Sequence, residues 1–305
     1  MLFYLTPDTK KIDGTYQKMK VAYYPGCSLQ ATAKDYAESI LGVCSGLNIQ
    51  LDEIPDWNCC GATAAHSIDH CASIELAGRT LNQAAKLPHA DMLVPCPMCF
   101  NRLKTAAWAL RGDHPERYAI ELDASIPRIW DLAEFFATEK MLQTTTQHLK
   151  KPLSGLRVVC YYGCMASRPP EITGTDDFEN PQALDRIVEN LGAEAIAWPF
   201  KTDCCGASQV LSRPDIVSHL VGKLFDMARR VGAQAIVVSC QLCHANLDMY
   251  QEKTQKNRED RLPIPIYYFT ELIGLACDLK GVKKWLSRHI TEPISLLKEL
   301  KLWNN

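Results

Sequence analysis

The chain has 305 residues, 47% of them apolar and 22% charged, with a formal net charge of −2 and a pI near 6.4. That length holds two modest domains or one large one, and the charge balance excludes the basic footprint of a nucleic-acid binder. No run approaches the ~18 consecutive apolar residues of a membrane helix, and the N-terminal MLFYLTPDTKKIDGTYQKMK lacks the basic start and long apolar stretch of an export signal. A cytoplasmic protein is expected, and there fourteen cysteines point to metal or redox work rather than disulfides.

In chain order, a short apolar run, Val21 to Tyr24, predicts a buried strand ending at a Gly-Cys turn, YYPGC, with Cys27. A helical stretch follows, with Tyr36, Ile40, Cys44 and Leu47 on one face. DWNCCGA carries Cys59 and Cys60. A helical pattern from Ala72 to Lys86 leads to the apolar run Met92 to Val94, which enters VPCPMCFNRL with Cys96 and Cys99. The polar run TTTQHLKKPLSG, Thr144 to Gly155, reads as a junction.

The second half repeats this grammar. Val158 to Tyr162 is strand-like and ends in YYGC with Cys164, and Pro181 to Leu191 takes the place of the first helix. TDCCGA carries Cys204 and Cys205. Ile216 to Val231 is helical, and Ala235 to Val238 enters VSCQLCHANL with Cys240 and Cys243. The CysCysGly pairs lie 145 positions apart and the CxxC pairs 144. PRIWDLAEFF (Pro127 to Phe136) is loosely echoed by PIYYFTELIG (Pro265 to Gly274). These features predict an α/β fold of two pseudo-symmetric repeats with parallel sheets and cysteine-rich turns at the strand ends, where open sheets place ligands. The expected domains are 19–147 and 148–305, the second with a C-terminal helical extension.

Five thiols per repeat are one too many for a structural zinc site or an ordinary cubane cluster, each of which takes four. Adjacent residues such as Cys59 and Cys60 do not easily aim both sulfurs at one small ion, but they reach two irons of a cluster. Gly61 and Gly206 suit the tight turns that bring backbone close.

The five-cysteine pattern resembles the cysteine-rich CCG domain, in the tandem form found in HdrB, the disulfide-handling component of heterodisulfide reductase, and in its bacterial homologues. The resemblance covers Met19 to about Leu279, and DEIPDWNCCGATAAHS with VPCPMCFNRLK is especially similar to bacterial members. It implies two noncubane [4Fe–4S] clusters, one held by Cys27, Cys59, Cys60, Cys96 and Cys99, the other by Cys164, Cys204, Cys205, Cys240 and Cys243. It further implies that a disulfide lies between the clusters and takes one electron from each, or that thiol or sulfane sulfur is oxidised in reverse. The partners it implies are a ferredoxin-like iron–sulfur protein (HdrC-like) and a flavin-containing protein (HdrA-like), which would also provide any membrane association. Relatives in lactate, glycolate, glycerol-3-phosphate and succinate oxidation carry such domains too. An electron-transfer subunit of a flavin- or quinone-linked dehydrogenase is therefore the alternative, and a zinc-holding protein a third.

The other cysteines read as packing. Cys44 and Cys71 fall on apolar helical faces, Cys71 with Ile74, Gly78 and Leu81, and Cys277 lies in LIGLAC. Cys160 shares a strand face with Cys164, but the alignment with YPGC makes Cys164 the ligand. His66 and His244 sit beside the motifs as proton carriers or as hydrogen-bonded turn residues. Arg102, Lys104, Lys201, Arg168 and Arg213 are anion-binding candidates, with surface solvation the plainer reading. The apolar C-terminal residues Trp285, Ile290, Ile294, Leu296, Leu297, Leu300 and Trp303 pack on a partner or on their own domain.

Overall fold

The computed structural model describes residues 18–62, 64–255 and 263–303. The N-terminal stretch read above for an export signal lies largely outside them. Eight strands form two four-stranded sheets: β1 (Met19–Tyr23), β2 (Ile49–Glu53), β3 (Asp91–Val94), β4 (Arg128–Asp131), β5 (Arg157–Tyr161), β6 (Glu194–Ala195), β7 (Ala235–Val238) and β8 (Ile266–Tyr268). The orders are β2-β1-β3-β4 and β6-β5-β7-β8, and every pair is parallel. The second sheet thus repeats the first. Parallel neighbours need long crossovers, and helices supply them, covering both faces; hence β7, AIVV, is buried at every residue.

Register carries the repeat through to the functional ends. Val94 pairs with Asp131 and Val238 with Tyr268, each two residues before a CxxC motif. Asp131 and Tyr268 are therefore counterparts, and each is the N-cap of a following helix, Leu132–Phe136 or Phe269–Ala276. All ten motif cysteines follow the C-terminal end of a strand, as expected from the α/β grammar.

The halves share one core. Tyr36, Ile40 and Val43, from the helix Lys34–Gly46, pack in the same apolar cluster as Val237, Phe269 and Ile273. Across this boundary Ser39 and Thr270 hydroxyls meet at 2.7 Å. The C-terminal segment closes over it. Trp285, 3% exposed, fills a slot left by Gly42 of the first half and Gly274 of the second; a Cβ on either would lie 2.5–2.6 Å from the indole. An indole burying roughly 200 Å² contributes at most about 5 kcal/mol. Lys284 and Arg288 add ion pairs to Glu38. The C-terminal residues thus pack on the chain itself, although Ile290 stays 67% exposed.

Two sequence expectations need correction. Cys71 is exposed, not buried, because it lies in the first turn of the helix His70–Ala84, before the face that buries Ile74, Gly78 and Leu81. The polar run from Thr144 is not all loop. Thr144 to His148 complete the helix Glu139–His148, because Met141 and Thr145 give that helix a buried face.

Candidate functional site

In the first half, Cys60 and Cys99 sulfurs lie 3.3 Å apart, Cys96 is hydrogen-bonded to Cys99, and Cys27 to Cys59. In the second, Cys205 and Cys243 lie 3.5 Å apart, Cys240 is hydrogen-bonded to Cys243, and Cys164 to Cys204. All ten candidate ligands are thus gathered, five and five. In each set the CxxC pair and the second cysteine of the adjacent pair are buried. Cys27, Cys59 and Cys204 reach the surface and Cys164 is half-buried.

Local structure explains the convergence. Gly26 and Gly163 adopt φ of +70° and +68°, and a Cβ there would lie 3.1 Å from the Cys99 sulfur and 2.8 Å from that of Cys243. Only glycine lets the β1 and β5 turns come so close to the CxxC thiols. Tyr24 donates to the carbonyl of Asn58 at 2.8 Å and its counterpart Tyr161 to that of Asp203 at 2.6 Å. These bonds pin the residue before each CysCys pair. Asn246 anchors the Cys205 carbonyl at 3.1 Å.

Packed thiols share protons unequally. The hydrogen bond from Cys164, aided by the Gly206 N–H, holds Cys204 down to about 6. Cys99 in the same way holds Cys96 down to about 7 against its burial, with the Gln241 amide adding to the effect. Cys60 and Cys205 are lowered by their contacts with Cys99 and Cys243, which are themselves pushed far up. Each set thus holds thiols that ionise more readily than a free cysteine, and the thiolate is the metal-binding form.

The first half reaches the second set across the boundary between the halves, although the buried cysteines of the two sets lie in two different apolar clusters. Tyr36 of the first half donates to the carbonyl of Ser239, the residue before Cys240, at 2.9 Å. Burial raises its pKa, and Asp131, Cys240 and Cys96 raise it further, so it lies between the sets. Its ring stacks on Tyr268 at 4.1 Å, and Tyr268 stacks on His244 at 4.2 Å. His289, paired to the buried Glu271 at 2.9 Å, closes the column edge-on to His244.

Buried polar atoms without partners include Ser239 Oγ, His244 Nε2, His289 Nδ1, Asp131 Oδ2 and Ser167 Oγ. Orphaned atoms beside clustered thiols fit a site built around a further group. Among the described residues, no three His, Cys, Asp or Glu side chains are arranged to hold a single metal ion.

Other candidates fall elsewhere. Cys160 is buried in β5 against Trp198, apart from the second set. Cys44 and Cys277 are buried, which pushes their thiols up to about 12 and about 11. His66 is exposed and faces Arg102 at 3.0 Å, whose charge lowers its pKa. His244 is fully enclosed, and its desolvation favours the neutral ring. Lys201 is not a solvated surface residue. It is 3% exposed and paired with Asp185 at 2.9 Å, because the turn before Cys204 folds inward. Arg213 pairs with Asp215, and Arg168 bonds Thr202. Tyr36, Gln241 and Asp131 escaped the sequence reading as site residues. Gln241 stood between two motif cysteines and Asp131 in the repeated PRIWD segment, the signals that point to them.

The cysteine-rich domain family (CCG) matches residues 21–104 and 158–248, more than half of the chain. The chain is 28% identical over 279 residues to the membrane anchor component of the 8-methylmenaquinol:fumarate reductase of Wolinella succinogenes, covering 90% of this chain and 98% of that one. It is 24% identical over 266 residues to the HdrB component of the ferredoxin:CoB-CoM heterodisulfide reductase of Methanosarcina mazei (83% and 88%). It is 26% identical over 270 residues to an HdrB-like heterodisulfide reductase protein of Archaeoglobus profundus (84% and 90%). A solved structure of a hypothetical protein from Helicobacter pylori shares the fold at a TM-score of 0.67 and 10% identity, covering 91% of this chain and 54% of that one. With both cysteine sets inside the matched segments, the chain belongs to the cysteine-rich CCG domain family, in tandem form and resembling HdrB of heterodisulfide reductase.

Proposed function

We propose that this chain is the sulfur-chemistry component of a heterodisulfide reductase-like oxidoreductase complex. In this reading residues 19–147 and 148–305 are its two domains. Cys27, Cys59, Cys60, Cys96 and Cys99 hold one noncubane [4Fe–4S] cluster, and Cys164, Cys204, Cys205, Cys240 and Cys243 hold the other. The observation that carries it is that two five-thiol constellations, one in each half, are linked across the boundary between the halves by Tyr36 on Ser239 and by Gln241 acting on Cys96. Two clusters so placed supply the two single electrons that opening one disulfide requires.

The protein's own residues do the positioning. Gly26 and Gly163 admit the sulfurs, Tyr24 and Tyr161 fix the CysCys turns, and the aromatic column of Tyr36, Tyr268 and His244 spans the boundary between the halves. Relatives named as the HdrB component of a heterodisulfide reductase support sulfur chemistry and a multi-protein setting. The partners would be a ferredoxin-like iron–sulfur protein and a flavoprotein. Among the described residues no helix is long and apolar enough to cross a membrane; we assign the chain to the cytoplasm, with partners providing any membrane contact.

A second reading, electron relay without disulfide chemistry, is favoured by the Wolinella relative, a component of a fumarate reductase. Iron and sulfide analysis with EPR tests both. Two four-iron clusters are expected, and zinc without iron would overturn both readings. Adding thiols and disulfides then separates them. Perturbed EPR signals support sulfur chemistry; silence towards every sulfur compound, with oxidation by a quinone, supports the relay.

A further inference from the structure

The repeat lets the two cysteine sets be compared position by position. Counted along the CysCys and CxxC motifs, Asn58 stands where the second half has Asp203, Pro97 where it has Gln241, and Arg102 where it has Asn246. The thiols themselves match. These three positions differ in charge or in hydrogen bonding, and each bears on a motif cysteine.

Gln241 lies between Cys240 and Cys243, yet its carboxamide acts on Cys96 of the other set. The residue is 3% exposed, and neither amide atom has a partner in its own half. Pro97 has no side-chain donor, so that position gives Cys240 nothing in return. Arg102 is half-buried, three residues after Cys99, and its charge interacts with Cys60. It also faces His66 at 3.0 Å. Its counterpart Asn246 sets only a neutral amide 3.8 Å from the sulfur of Cys205, the equivalent of Cys60. Asp203 brings a carboxylate beside Cys204, tempered by Lys223 at 2.9 Å. Asn58, before Cys59, is neutral and spends its amide on the carbonyls of Cys59 and Leu76.

A cluster that takes up an electron gains negative charge, and its thiolate sulfurs carry part of it. Donors and cations beside those sulfurs favour the reduced form and raise the reduction potential; an anion lowers it. All three differences act in one direction. The first set has a cation where the second has an amide, a donor from the other half where the second has none, and a neutral side chain where the second has a carboxylate.

We propose that the cluster on the first set has the higher reduction potential of the two, set by Gln241 through Cys96 and by Arg102 through Cys60. The first electron therefore resides on the first set, and the second follows at the set of Cys164 to Cys243. This inference rests on the function proposed above. Gln241 and Arg102 are positioning residues in it, and the second half tunes the first across their boundary.

Reduction of the iron-loaded protein by dithionite at controlled potential, followed by EPR, tests it. Two one-electron waves are expected, and the component missing from Cys60→Ser marks the first set. That component should develop at the higher potential. Gln241→Met keeps the length of the side chain and removes its donor. It should weaken reduction of the first set about tenfold, a fall of about 59 mV for one electron, and leave the second wave in place. Arg102→Gln should lower the same wave. Should Gln241→Met lose iron, Gln241→Asn, which withdraws the amide by one methylene, is read for the same fall. Coincident waves, a second set that is reduced first, or a first wave unmoved by these variants overturns the inference while two clusters remain. Zinc without iron overturns the proposed function and this inference with it.

Discussion

The phenolic O–H of Tyr36, in the first half, is held 2.9 Å from the carbonyl of Ser239, one residue before Cys240 in the second. A single side chain thus sets the approach of one cysteine motif to the other half. Tyr36→Phe keeps the stacked ring but leaves that buried carbonyl without its donor, at a cost of about 1–2 kcal/mol. Chemical denaturation should show a lower midpoint with iron content unchanged; an unaltered midpoint would remove the bridge from the account.

Cys60→Ser should strip or convert the first cluster while leaving the second. Cys60 lies 3.3 Å from Cys99, and its removal reaches nothing in the other set. Iron should fall by up to about half, with one EPR component retained. Unchanged iron and spectra would refute the five-ligand assignment.

Two glycines separate backbone strain from sulfur contact. Gly155, at φ +88°, has nothing within 4 Å of an added Cβ, whereas at Gly163, φ +68°, that Cβ would meet the Cys243 sulfur at 2.8 Å. Gly155→Ala should cost only about 1–2 kcal/mol in stability. Gly163→Ala should cost more and release iron from the second set, read by iron analysis of the two variants together.

The Lys201–Asp185 pair is buried, and Tyr162 also donates to Asp185. Lys201→Met strands the carboxylate and should destabilise by about 3–5 kcal/mol, whereas Lys201→Met with Asp185→Leu should recover much of that loss. Melting temperatures of the single and double variants decide it, and a double variant no better than the single would contradict the pairing argument.

Burial, then the charge of Glu134, raises Asp131 to about 7. The unfolded chain releases this proton near its ordinary 3.8, so between there and about 7 the native state holds more protons. This group's contribution to stability therefore declines as pH rises through that window. Glu134 opposes its ionisation, while Lys104 and Arg128 act on the pair through Glu134. Asp131→Asn should flatten that part of the stability profile between pH 4 and about 7. A profile identical to wild type would show that Asp131 titrates normally.

The cysteine sets and the doubled parallel sheet were legible because they are local in sequence. Thiol spacing repeats, and apolar runs such as AIVV announce buried strands. The bridge between the sets was not legible. Tyr36 has the spacing of an ordinary core residue, and its partner Ser239 lies 203 positions away. Cys71 was misread because periodicity extends a helical face into the first turn, ahead of the residues that pack against Leu110 and Ile120.

The Trp285 clasp lies C-terminal to all ten motif cysteines. In vectorial synthesis both sets therefore leave the ribosome before the residues that shut the halves together. On the proposed function, every thiol is thus available before the two halves are clasped together. The indole meets its two glycines last, and a chain cut before Trp285 would keep every thiol while losing the latch between the halves.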